Sequence, residues 1–314
     1  MTTIIPDFDS YHCLEEHHYD KFETSISDPI PEWIKLLNMK TIIVPTDFSA
    51  IALNATEYAV ALAEKLNAKI VLFHAYPLPL AFSEVPVPPQ VFNTLQKDAE
   101  DFMQQAKTDL EAYSKGSIPI ETAIFPGGLL TNLQQYCDKT RPYAIVMSSH
   151  GNTGFEKLLL GSETSAAVTH LSWPLIVIPK GAKFKSPENI ALACDFEKVS
   201  STVPVAVIKD LVQTFKAKLF VLHVHADEEQ PYRQPVMDGA SDLQQMLADL
   251  HPSYQFLNRS DIAEAILDFI QKNNIELLIV LPKKYSFLQS LFHKSKSKEL
   301  AKEAFVPMIS FHEK

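Results

Sequence analysis

The chain has 314 residues, 35.3 kDa, with 46% hydrophobic and 21% charged side chains, which excludes a disordered or fibrous protein and sets a prior of about two domains. Twenty-eight basic residues against 38 acidic ones leave a formal charge of −10, the wrong sign for a general nucleic-acid binder. Cys13, Cys137 and Cys194 offer no close pair for a disulfide or a CxxC site.

No apolar run reaches the roughly 18 residues that a bilayer helix needs, and the opening MTTIIPDFDS lacks the basic-then-apolar order of a secretion signal. The expectation is a cytoplasmic protein without membrane contact. Residues 1–38 hold eight acids against Lys21 and Lys35, so most of the net charge sits in an acidic N-terminal extension. Within it only Ile30–Leu37 has the pattern of a short amphipathic turn, and His12, Cys13, His17 and His18 lack a second ligand pair for a metal.

From Met39 the pattern changes. Lys40–Thr46 is a β-branched run ending in Asp47-Phe48-Ser49, and the spacing predicts a helix from Ser49, its N-cap, to Leu66. Lys69–His74 reads as a second buried strand. A Pro-rich excursion (Pro77 to Pro89) then leads into a long polar helix ending near Ser114. A strand near Ile118–Phe125, a helix Leu129–Lys139, a strand Tyr143–Ser149, a glycine-bearing loop, a further helix and a strand Pro174–Ile178 complete one unit. Short apolar strands alternating with helices predict an α/β fold with a parallel sheet covered on both faces.

The order then repeats. Asn189–Cys194 precedes Asp195-Phe196 as the first strand precedes Asp47-Phe48, and Lys218–His223 (KLFVLH) echoes Lys69–His74 (KIVLFH). Asp261–Lys272, Glu276–Leu281 and Val306–Ile309 match their counterparts in turn. The chain therefore reads as an internal duplication, 39–181 and 188–314, with a boundary near Gly181–Pro187.

The two copies differ in glycine. Of the 8 glycines only Gly239 lies in the second copy, whereas the loop Ser148–Gly154 and Gly161-Ser162 of the first lie beyond a strand's carboxyl end. Open parallel sheets bind ligands there, and bare backbone at a helix start favours an anion. Aligning Pro174 with Pro307 puts Lys284 and Lys294 where the first copy has Gly151 and Gly161, so one phosphate-type site is expected, in the first copy only.

Ile42–Ser49 (IIVPTDFS) followed by Met147–Ser162 (MSSHGNTGFEKLLLGS) resembles the universal stress protein family, strongly over 39–181 and in degenerate form over 188–313. The family's Gly-x2-Gly-x9-Gly-(Ser/Thr) signature falls on Ser148, Gly151, Gly161 and Ser162, with the spacing kept and the first glycine replaced. The resemblance implies a tandem member: two open five-stranded, Rossmann-like sheets whose last strands, Pro174–Ile178 and Pro307–Phe311, pair within the chain as a dimer of single-domain members would pair. Homodimerisation beyond that is left open. It also implies that ATP, with Mg²⁺ or Mn²⁺, is the ligand. Asp47 would hold the ribose or adenine end, the backbone at Ala75 would read the adenine edge, and Gly151, Gly161 and Ser162 would cradle the phosphates. Pro45 and Met147 would lie beside them. Ser148 and Glu163 depart from the pattern, the latter placing a negative charge in the first helical turn.

No GxGxxG follows the first strand, and no GxxxxGK[ST] or GxSxG is present, so a dinucleotide dehydrogenase, a P-loop NTPase and a serine hydrolase are disfavoured. No residue stands out as a base to activate water. The expected function is an ATP-binding, stress-response regulatory module rather than a fast enzyme. The alternative is a nucleotide-free scaffold for a protein partner, using the acidic extension, the Pro-rich loop and the basic stretch Lys283–Lys298. His223, His225 and Asp227 alternate at a strand end, and with His74 at the equivalent place a hydrogen-bonded structural histidine is expected there rather than a metal ligand.

Overall fold

Ten strands make one sheet, in the order β3-β2-β1-β4-β5-β10-β9-β6-β7-β8. The structure, a computed structural model, describes residues 39–78, 88–149, 161–196, 199–225, 234–281 and 306–311. The acidic extension with its His/Cys group, most of the Pro-rich excursion, Gly151 and Gly154, Asp227 and the basic stretch with Lys284 and Lys294 lie outside the described residues.

In chain order the first half holds β1 (Lys40–Pro45), α1 (Ala50–Leu66), β2 (Ala68–Tyr76), α2 (Pro89–Ser114), β3 (Ile120–Pro126), α3 (Leu129–Thr140), β4 (Ala144–Ser148), α4 (Ser162–His170) and β5 (Leu175–Ile178). The second holds β6 (Asn189–Ala193), a one-turn α5 (Val199–Thr202), α6 (Val205–Phe215), β7 (Lys218–His225), α7 (Gln234–Met246), β8 (Ser253–Asn258), α8 (Ile262–Lys272), β9 (Leu277–Val280) and β10 (Met308–Ser310). Local chemistry sets several ends. The Ser49 hydroxyl accepts from the Ala52 N–H at 3.2 Å to open α1, and Asn67, at a left-handed φ of 51°, closes it.

Among the described residues every ladder is parallel except the one between β5 and β10, which is antiparallel and sets Ile309 opposite Ile176. The two five-stranded halves are thus joined into one sheet, through the pairing of their last strands that the resemblance implied. Both strands are buried and apolar, and an exposed edge of that kind would template aggregation, so each edge serves as the other's partner. Alternation along β1 divides the core. Ile42 and Val44 face the layer of α1, α2, α6 and α7, while Ile43 faces that of α3, α4 and α8.

Polar contacts join the halves as well. The Asp210 carboxylate on α6 accepts from Lys40 Nζ of β1 at 2.6 Å and from the Tyr143 hydroxyl at 2.7 Å, and the same ammonium lies 4.7 Å from the Tyr143 ring centre. Asn54 holds the connection by donating to the Ala182 carbonyl at 3.0 Å and accepting from the Gly181 N–H at 2.9 Å.

Candidate functional site

β1 has β2 on one side and β4 on the other, so the strand order reverses between β1 and β4. A parallel sheet opens a crevice at that point, beyond the carboxyl ends of both strands.

The β1 side is a tight turn. The Thr46 N–H extends the ladder by donating to the Phe73 carbonyl at 2.9 Å, and the Thr46 hydroxyl accepts from the Phe48 N–H at 3.0 Å. Asp47 Oδ1 accepts from the Ser49 N–H at 3.0 Å. Three polar side chains, those of Thr46, Asp47 and Ser49, thus satisfy backbone donors of a chain that has left the sheet. Between them Phe48 sits at φ 62°, a conformation unusual for a bulky residue. The Thr46 carbonyl accepts from His74 Nδ1 at 2.8 Å, and the Phe48 ring lies 4.5 Å from the imidazole and 5.7 Å from Phe102 of α2. Asp47 is exposed at the tip of this turn.

The β4 side meets α4. The Ser149 N–H donates to the Ile178 carbonyl, the Gly161 N–H to the Ser149 carbonyl and the Thr164 hydroxyl to the Ser148 carbonyl, each at 2.8 Å. Gly161 is the N-cap of α4 and supplies no side-chain cap, so the first-turn N–H groups lack the intramolecular acceptor that a Ser or Asp would bring. Ser162 and Glu163 are exposed beside it. Packing around Glu163 and then the nearby charge of Asp47 push its carboxyl above the ordinary glutamate range. Residues 116 positions apart in sequence are therefore electrostatic neighbours.

Of the other residues singled out by sequence, Ala75 is half-buried near the end of β2 opposite Phe125 of β3, Ser148 is half-buried, and Pro45 is buried. The Met147 side chain is 6% exposed and belongs to the core, so only its backbone borders the crevice. Gly151 lies outside the described residues. Sequence reasoning missed Thr46, His74 and Thr164 as parts of this site. Only a hydroxyl next to an Asp-x-Ser turn hinted at the first of them.

The second half builds the same turn from different atoms. Phe196 again sits at φ 62°, its N–H donates to Cys194 Sγ at 3.3 Å, and His223 Nδ1 donates to the Cys194 carbonyl at 3.0 Å with the rings 4.9 Å apart. The expected structural role for the strand-end histidine is thus what His223 has, and burial holds its imidazole below the usual range. Phe196 is fully buried, and at Gly239 of α7 an added Cβ would overlap the Phe196 carbonyl. Among the described residues no three His, Cys, Asp or Glu side chains come together as a metal would require.

A parallel-dominated α/β sheet with a crevice at the reversal of its strand order defines the class of Rossmann-like folds. Residues 38–179 match the model of the universal stress protein family. The universal stress protein MJ0531 of Methanocaldococcus jannaschii is 24% identical over 147 residues, covering 46% of this chain and 84% of that protein. A universal stress protein from Archaeoglobus fulgidus has a TM-score of 0.63 at 15% identity, over 87% of this chain and 98% of its own. A putative universal stress protein from Pseudomonas aeruginosa UCBPP-PA14 has 0.51 at 10% identity, over 88% and 94%. At such identities these two structures speak to the fold, and they speak to it across both halves.

Proposed function

We propose that the chain is a regulatory module which binds an adenine nucleotide, ATP with Mg²⁺ or Mn²⁺, in a first domain formed by residues 39–181. The observation that carries this reading is the juxtaposition of the exposed Asp47 turn and the glycine-started α4 across the β1–β4 reversal. In it Asp47 contacts the ribose or adenine end, the Ala75 backbone borders the base, and the Gly161 and Ser162 N–H groups receive phosphate. A bound divalent ion would offset phosphate charge facing Glu163. With no residue among the described ones placed to activate water, the reading is of a site that senses nucleotide rather than turning it over rapidly, in a cytoplasmic stress response.

The second domain, 188–314, keeps the turn but not the site. The close approach of α7 to the Phe196 carbonyl supports that reading, since it packs a helix against the backbone that follows Asp195. One nucleotide per chain is expected. The full chain titrated with ATP and Mg²⁺ in a thermal-unfolding assay tests this. Ligand at 100 times its dissociation constant adds about 2.7 kcal/mol, an Asp47→Ala variant loses the shift, and no shift at millimolar ATP removes the nucleotide claim. The nucleotide-free scaffold is favoured by one observation, the Glu163 carboxylate set beside Asp47 where a polyphosphate would lie. It predicts no shift for either protein.

A further inference from the structure

We propose that His74 is a positioning residue of the nucleotide site: by donating to the Thr46 carbonyl and packing against the Phe48 ring, it holds the left-handed turn that presents Asp47. This rests on the nucleotide reading above and adds to it a cause for affinity.

Among the described residues Asp47 is anchored to its own turn through one oxygen, the Oδ1 that accepts from the Ser49 N–H. Its direction therefore depends on the backbone of residues 46–49. That backbone is unfavourable on its own, because Phe48 has a Cβ and a ring at φ 62°. Two contacts oppose its relaxation. The Thr46 hydroxyl holds the Phe48 N–H from inside the turn, and the imidazole of β2 holds the Thr46 carbonyl from outside while packing at a tilt against the ring that the turn throws outward. Without the imidazole the carbonyl has no partner, the Phe48 ring loses its support, and the turn samples conformations in which Asp47 points elsewhere. Binding then carries the cost of reordering it.

The second half supplies an internal control. His223, Cys194 and Phe196 repeat every contact of this clasp with distances within a few tenths of an ångström, in a half where α7 presses on the turn. A purely structural clasp predicts equal consequences for losing either histidine. A positioning role predicts that only the first affects ligand binding.

Calorimetric titration of the full-length chain with ATP and Mg²⁺ decides between them, alongside thermal unfolding of each variant. His74→Ala is expected to weaken binding about tenfold through lost preorganisation. His74→Asn, whose amide can donate to the same carbonyl, is expected to recover most of that loss. His223→Ala is expected to lower the melting temperature and leave the dissociation constant within about twofold. Should His74→Ala fail to unfold cooperatively, Thr46→Val removes the other hold on the turn at nearly constant volume and is expected to weaken binding similarly. Unchanged affinity in a folded His74→Ala or Thr46→Val protein overturns the positioning role while leaving nucleotide binding intact. Equal loss of affinity in His223→Ala overturns it too. Absence of binding by the unmodified chain overturns the nucleotide reading, and the positioning role falls with it.

Discussion

Gly239 of α7 rests directly on the carbonyl of Phe196, with no room between them for a methyl group. Mid-helix alanine is normally better than glycine by about 1 kcal/mol, yet here the added carbon must displace backbone, at a typical cost of 1–3 kcal/mol or more. Gly239→Ala is expected to destabilise the chain by a net amount on the order of 2 kcal/mol, read as a lower urea midpoint. A neutral or stabilising result would mean that α7 does not press on the turn.

Asp210 accepts from both Lys40 and Tyr143 and so ties α6 of one half to β1 and β4 of the other. Burial and the Asp210 hydrogen bond drive the Tyr143 hydroxyl well above the usual phenol range, so it stays a donor at any physiological pH. Lys40 and Asp210 are about a third exposed, at 29% and 36%, which limits the ion pair to below about 1 kcal/mol. The hydrogen bond from the neutral phenol to the same carboxylate adds about 1 kcal/mol. Asp210→Ala should cost about 1–2 kcal/mol, and high salt should erase only the ionic part of the difference. Denaturation curves at two salt concentrations measure both.

Glu163 binds its proton more readily folded than unfolded, because packing and Asp47 disfavour its charge. The sign follows: its unfavourable contribution is present above its raised folded value and fades as pH falls toward the unfolded one. Glu163→Gln should therefore stabilise the chain at neutral pH, by less than about 1 kcal/mol for so exposed a group, and steepen the acid limb of the stability curve, because the gain disappears once the glutamate is protonated. The same substitution should raise affinity for ATP more than for adenosine, since only the former carries phosphates. An identical change for both ligands in parallel titrations would place Glu163 away from the phosphates.

Ser310 in β10 is 2% exposed, and its hydroxyl has no partner among the described residues. Across the antiparallel ladder it faces Leu175 of β5, an apolar residue of the core. Removing a buried, unsatisfied hydroxyl relieves a desolvation cost of about 1 kcal/mol or more. Ser310→Ala should leave the melting temperature equal or higher. A clear drop would show that the hydroxyl is satisfied in solution.

Alternation of buried β-branched runs with amphipathic helices, and the repeat of KIVLFH as KLFVLH, made the strands and their parallel order readable in advance. Ser49 and Asp261 marked helix starts, and both side chains cap as their chemistry requires. These features are local, carried by residues a few positions apart. The tertiary structure decided what depends on distant partners: the antiparallel register of β5 on β10, the electrostatic influence of Asp47 on Glu163, and the burial of Met147. It also gave Gly239 a meaning that no window of sequence contains, since the reason for its missing Cβ is a carbonyl 43 residues away that only folding brings against it.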